Sequence, residues 1–232
     1  MIFIMRLSYI VLFVTFTSSV SFGQRSYNPG LKKELDSILY EDQRYRELVF
    51  SDLLKTKTDS IAAVYKIDKK YIVEHLMTTM QKVDSTNLVR VEAIIKQYGY
   101  PGKSLVGTPA NEAAFYVIQH SDHIDQYIPI IKKAAEQKEL SFTLYAMMLD
   151  RSLMYNRKEQ IYGTQAKGFE TIDKATGKKI FKMIIWPVQN PKTVNALRKK
   201  AGFDQTIEEN AQRLGVEYEV LTLQQVKAMQ GK

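Results

Sequence analysis

Between Leu31 and Tyr155 apolar side chains recur every three or four residues, a period that commits more than half of the chain to amphipathic helices. Leu31, Leu35, Ile38 and Leu39 mark the first apolar face, and Glu34, Asp36, Glu41 and Asp42 occupy the others. Asp42 and Arg46 then fall one helical turn apart. Ser60–Gln81 carries a second stripe through Ile61, Val64, Ile72, Leu76 and Met80, with a break expected near Ile67-Asp68. Asp84-Ser-Thr-Asn87 reads as a run of N-cap residues that opens a helix through Leu88, Val91, Ile94 and Ile95, stopped by Gly99. Thr108 as N-cap and Pro109 at N1 open the next, through Ala113, Ala114, Val117 and Ile118 to Gln119-His120. His123–Lys138 gives another, and Ser141 caps a last one over Phe142–Tyr155.

The pattern changes after Tyr162. Lys167–Asp173 and Lys178–Trp186 are short, aromatic and β-branched, and Lys174-Ala-Thr-Gly177 between them is a hairpin turn. Pro191–Ala201 and Gln205–Leu214 are short helices stopped by Gly202 and Gly215, and Val216–Lys232 reads as a strand-like piece followed by a weak helix. The expected fold is mainly α: a compact multi-helix domain over 31–202 with one embedded β-hairpin near 167–186, and a C-terminal extension over 203–232 packed on it.

With no cysteine in the chain, disulfides, thiol nucleophiles and thiolate metal sites are all excluded, so stability must come from a core. The first 23 residues read as a signal peptide, with Met1–Met5 and Arg6 as n-region and Leu7–Phe16 as apolar h-region. Ser21 and Gly23 suit the −3 and −1 positions, so cleavage is expected before Gln24, followed by a flexible lead-in over 24–30. The apolar run from Ile2 to Phe16 is shorter than the ~20 residues a membrane span needs. An exported product, periplasmic or secreted and without a stable membrane span, is the expectation. Arg6 is the one charged residue in that segment, so the formal charge of +8 becomes +7 in the mature chain. That excess suits a solvated basic surface, an anionic envelope component or an anionic ligand. Nucleic acid is not expected, because no binding motif accompanies the charge.

Residues able to carry chemistry concentrate in three blocks. In the first, Gly99, Pro101, Gly102, Ser104 and Gly107 form a loop whose backbone N–H groups, with the helix start at Thr108–Asn111, could hold an anion. It has no P-loop spacing, and the same glycines serve equally well as a tight helix–helix connection. The second block is Gln119-His-Ser-Asp-His123. His120 could act as a general base oriented by Asp122 or Asp150, or could tie helix ends together with Gln119. A metal there would need ligands from elsewhere, so neither a metal nor another cofactor is expected. In the third block, Asp150-Arg151 lies near a helix end and requires a partner for whichever charge turns inward, with His120, Asp42 and Arg46 as candidates. Arg151 could instead grip a carboxylate or phosphate. Gln160, Tyr162 and Gln165 add amides and a phenol around Gly163.

The ordered run Tyr98–Gly107, Ala113-Ala-Phe115, Gln119, His120 and Asp122, Asp150-Arg151 and Gln160–Gln165 resembles an uncharacterised bacterial domain family, itself a domain of unknown function. Asp42-Gln43 and Arg46 resemble its N-terminal Asp-Gln-x-x-Arg element, and Tyr100 stands where tryptophan is more usual. The resemblance covers about residues 31–202, with the basic hairpin and the tail as additions to it. It implies one shared polar centre and no assigned chemistry.

Three functions fit these residues. One is a polar pocket for a small or envelope-derived ligand, lined by His120, Asp122, Asp150, Arg151 and Gln165. Another is a hydrolase-like enzyme with His120 as general base and Arg151 as electrostatic stabiliser. The third is a structural or protein-binding domain whose motifs serve folding.

Overall fold

The computed structural model describes residues 26–173 and 175–231, and the expected signal segment lies outside them. Asn28 belongs to the first helix and not to a flexible lead-in. It caps α1 (Pro29–Phe50), its side chain accepting from the Leu31 N–H at 3.0 Å, with Pro29 in the first turn. Ser51 ends α1 and caps α2 (Asp52–Tyr65). The break expected near Ile67-Asp68 is present: Lys66 turns left-handed at φ 56°, and a short 3-10 turn over Lys69–Tyr71 leads into α3 (Ile72–Tyr98).

α3 runs without interruption through Asp84–Asn87, where the sequence predicts a new N-terminus. The hydroxyls of Ser85 and Thr86 donate to the carbonyls of Gln81 and Lys82 one turn back, both at 3.0 Å. Asp84 turns to Arg46 on α1, and the buried Asn87 amide donates to the Ile38 carbonyl at 3.4 Å. Asp84 and Asn87 therefore fasten α3 to α1. Gly99 ends the helix at φ 68°.

α4 (Lys103–Val106) is a single turn inside the glycine loop, and a 3-10 turn over Ala110–Glu112 precedes α5 (Ala113–Gln119). Thr108 is thus not an α-helical N-cap. The first turn after it closes through the Asn111 N–H to the Gly107 carbonyl at 3.0 Å, across a cis Thr108–Pro109 peptide. α6 (Ile124–Glu136) and α7 (Phe142–Tyr155) follow, α7 capped by Ser141 as the sequence predicts. The antiparallel hairpin pairs β1 (Ala166–Ile172) with β2 (Lys179–Ile185), Ala166 opposite Ile185 and Ile172 opposite Lys179. α8 (Val194–Ala201), α9 (Ile207–Arg213) and α10 (Leu223–Met229) complete the chain, the last two opened by capping boxes at Thr206 and Thr222. Residues 216–222 form no strand, and Val216 is buried with Ile207 and Ala211.

The main core joins α1, the second half of α3 and α4 to α7, around Leu35, Ile38, Val91, Phe115, Ile118 and Ile131. The far half of α1 packs on α2 and the start of α3 through Tyr45, Leu54, Ile72 and Leu76. Two smaller cores lie beyond α7. One holds Ile185, Val188, Val194 and Ile207; the other holds Met154, Ile184, Trp186 and Val226. The residues after Gly202 thus build core and not only a covering extension. Among the described residues no helix is long and apolar enough to cross a membrane.

Gly163 shows how tightly the smaller cores close. It sits at φ +67°, and a Cβ there would meet Ile207 Cδ1 at 2.1 Å and Val188 Cγ1 at 3.4 Å. Gly163→Ala is expected to cost about 2–4 kcal/mol, from left-handed backbone plus a clash with a buried isoleucine. Gly177 has nearly the same backbone, φ +66°, with nothing within 4 Å of its Cβ position. Gly177→Ala is expected to cost only about 1 kcal/mol, from backbone alone. Comparing the two melting temperatures checks this, and equal losses would contradict the packing described.

Candidate functional site

The three sequence blocks reach three different places. Asp150, one residue from the end of α7's third turn, turns inward and is fully buried. Its Oδ1 accepts from the N–H groups of Ile161 and Tyr162 at 2.8 and 3.1 Å. Its Oδ2 accepts from the Thr164 N–H and hydroxyl, both at 3.0 Å. Burial raises its pKa above the ordinary carboxylate value, against these hydrogen bonds, which pull the other way. The expected partners of Asp150 were His120, Asp42 and Arg46; its actual partners are the backbone of 161–164. Those contacts give Asp150 a holding role on the segment 161–164.

Gln160 and Tyr162 belong to the same holding arrangement. The fully buried Gln160 amide donates to the carbonyls of Gln165 and Trp186 at 3.0 and 2.6 Å, and its Oε1 accepts from the Gln165 N–H at 2.9 Å. The Tyr162 carbonyl accepts from Arg198 Nη1 at 2.8 Å. Arg198, almost entirely buried, also donates to the Gln205 carbonyl and lies over the Phe203 ring.

Ser104 is exposed, and its backbone N–H donates to Glu139 Oε2 at 2.7 Å. Lys103 N–H donates to the Glu139 carbonyl, and a Cβ on Gly102 would fall 2.5 Å from Glu139 Cβ. The protein's own glutamate therefore occupies the backbone cradle that an external anion would need. Asp122 is also exposed, beyond the end of α5, and the carboxylate beside His120 is Asp42 instead. His123 sits on the surface with Nδ1 2.7 Å from Glu92 Oε1. Among the described residues no three side chains of the metal-binding types converge on a common point.

What the structure does bring together is Asp42 and Arg46 from α1, Gln119 and His120 from the end of α5, Arg151 from α7 and Gln165. Asp84 of α3 joins them. His120 Nε2 lies 4.0 Å from Asp42 Oδ2. Arg46 Nη1 stands 3.2 Å from Asp42 Oδ1, and its Nη2 donates to both oxygens of Asp84 at 2.8 Å. Gln43 donates to Asp42 Oδ2 at 2.6 Å, whereas the buried Asp42 Oδ1 accepts no hydrogen bond. Arg151 Nε donates to Gln165 Oε1 at 3.3 Å and Nη1 to the Gln119 carbonyl at 3.2 Å. Arg46 is thus compensated by two carboxylates. Arg151, half-buried, is steadied by neutral oxygens and has no ion pair among the described residues.

These charges set the titration of the site. Burial, then Arg46 and Arg151, lower the His120 pKa to about 3, so its imidazole is neutral across the physiological range. Burial raises Asp42 to about 6, aided by Asp84 and opposed by Arg46 and the Gln43 amide. Gln43 belongs to the Asp-Gln-x-x-Arg element of the sequence, whereas Asp84 is not among the residues the sequence points to here. Asp84 carries the same signature as a helix cap, and nothing local in the sequence separates the two roles.

Asp150→Ala leaves three backbone N–H groups and a hydroxyl buried without an acceptor, and is expected to cost about 3–5 kcal/mol in chemical denaturation. Loss below 1 kcal/mol would contradict its role. The two perturbed groups of the site have opposite pH signatures. His120 takes up a proton near 6.5 when unfolded and near 3 when folded, so it costs stability progressively as pH falls through that window. Asp42 is protonated more readily when folded, so its cost is full above about 6 and is relieved as pH falls toward 3.8. The melting temperature of His120→Gln is therefore expected to gain on wild type as pH drops below 6.5. That of Asp42→Asn is expected to exceed wild type most above pH 6 and to lose that lead on acidification. Parallel pH curves for all three proteins would refute both assignments.

No curated protein and no solved structure matches the chain. The family model described as "Family of unknown function (DUF6624)" matches residues 62–221. The match takes in the hairpin and residues 203–221, which the sequence reading sets apart as additions, and it begins after Asp42 and Arg46. It covers more than half of the chain, and the protein belongs to this family of unknown function.

Proposed function

We propose that the protein is an exported ligand-binding protein whose site takes a small anion, an envelope-derived carboxylate or phosphate, between Arg151 and the neutral imidazole of His120. The observation that carries this reading is the charge left over at Arg151. Its guanidinium is half-buried and oriented by Gln165 and the Gln119 carbonyl, with no ion pair to a carboxylate among the described residues. A planar donor fixed in this way suits bidentate recognition of an oxyanion. The neutral His120 adds a hydrogen bond donor without adding charge. A histidine held near pKa 3 is a poor general base at neutral pH, which favours binding over the hydrolase-like alternative.

Thermal melting of the full chain with inorganic phosphate and with succinate tests the reading. At about 100 times Kd either anion stabilises by about 2.7 kcal/mol, a rise of about 5–10 °C. Arg151→Ala should abolish the rise while costing less than about 1 kcal/mol without ligand. No rise in wild type, with Arg151→Ala and His120→Gln both several kcal/mol less stable, would instead mark a polar core that serves folding alone. For export, mass spectrometry of envelope and medium fractions is expected to find a chain beginning at Gln24; a product retaining Leu7–Phe16 in the cytoplasm would contradict it.

A further inference from the structure

The hairpin presents two unlike faces. On one, Thr171 and Ile180 look toward α10, where the Thr171 hydroxyl donates to the Met229 carbonyl at 2.7 Å. A cleft of about 800 Å³ between them is lined by Thr171, Ile180, Lys182, Gln225 and Met229. The opposite face carries the cross-strand pairs Gly168–Met183, Glu170–Phe181 and Ile172–Lys179. Phe181 is 68% exposed, Ile172 54% and Met183 41%. Gly168 leaves room for them: a Cβ there would meet Phe181 Cζ at 2.2 Å and Met183 Sδ at 2.7 Å, so both side chains lie flat across the strand. An apolar ledge is thus built at the end of a two-stranded ribbon; Ile172 also borders the cleft beside α10, and among the described residues Phe181 and Met183 stay substantially exposed.

By the strand register Glu170 and Lys179 share the ledge face and Lys167 and Lys182 lie on the α10 face, so at the tip Lys178 and Lys179 stand against the single ledge carboxylate of Glu170. Residues 166–186 contain Lys167, Lys174, Lys178, Lys179 and Lys182 against Glu170 and Asp173. Asp173 is spent on its own turn, accepting from the Ala175 and Thr176 N–H groups at 3.0 and 2.7 Å. Lys182 pairs with Glu219 at 3.1 Å. Lys178 and Lys179 remain exposed at the tip beside Ile172 and Phe181. Exposed aromatic and aliphatic groups flanked at the tip by two lysines on long aliphatic stems are complementary to a surface of anionic headgroups over hydrocarbon. We propose that the hairpin tip docks on an anionic lipid surface, Phe181, Met183 and Ile172 entering the boundary between headgroups and acyl chains while Lys178 and Lys179 meet lipid phosphates.

Phe181→Trp in the full chain places an indole on the ledge, and its emission reports the tip alone against the background of Trp186, which is buried. The emission is expected to shift to the blue with vesicles of phosphatidylcholine and phosphatidylglycerol, to stay unchanged with phosphatidylcholine alone, and to revert in high salt. Adding Lys178→Gln and Lys179→Gln should weaken the apparent partition about fivefold per lysine, with melting temperature unchanged. The proposal is overturned by an emission that ignores anionic vesicles. It is equally overturned by equal shifts with neutral and anionic vesicles, or by a shift that follows protein concentration without lipid, which would make the ledge a contact between copies of the chain.

Discussion

The carboxylate of Asp150 is the point from which the second half of the molecule is hung. Fully buried, it is stabilised by donors that all come from one short segment, the N–H groups of Ile161, Tyr162 and Thr164 and the Thr164 hydroxyl. Those bonds wrap 161–164 around the end of α7, with Gly163 supplying the left-handed residue that the tight path needs. Gln160 then lies beneath Trp186, and Gln165 emerges beside Arg151 as β1 begins. Arg198 holds the outer side of the same turn through the Tyr162 carbonyl. The hairpin and the two small cores inherit their position from this anchor.

Arg151 is the next residue along α7 and has the opposite fate. Helical geometry turns adjacent side chains about 100° apart, so one of the pair faces the anchor and the other the junction of α1 and α5. There the charge distribution is uneven. Arg46 has Asp42 and Asp84, and Arg151 has amide and carbonyl oxygens. An imidazole placed near both guanidiniums loses its proton, and a carboxylate buried beside them keeps its own longer than usual. Both shifts begin with desolvation; the two arginines push further in the same direction at His120, whereas at Asp42 Asp84 adds to the rise and Arg46 opposes it.

Much of this was legible in the sequence because it is local. The caps at Ser141 and Gly202, the hairpin and the stripe of α1 follow from period and punctuation within a few residues. What failed was non-local. Asp84, Ser85, Thr86 and Asn87 have the side chains of helix caps, yet two bond back along α3 and two reach α1, across 38 and 49 residues of chain. The sequence reading offers Asp122 or Asp150 as the carboxylate beside His120, yet that carboxylate comes from Asp42, 78 residues earlier in the chain. The glycine loop reads from sequence as a tight helix connection or as an anion cradle, and what decides between them, Glu139, lies 35 residues away.

The most direct test of the charge left over at Arg151 is the titration of the His120 ring by nuclear magnetic resonance, assigned against His75 and His123 with His120→Gln. The account predicts an imidazole that stays neutral to well below 6.5, approaching 3, and whose pKa rises when inorganic phosphate occupies the site and neutralises the arginine. An ordinary titration near 6.5, indifferent to phosphate, would contradict it.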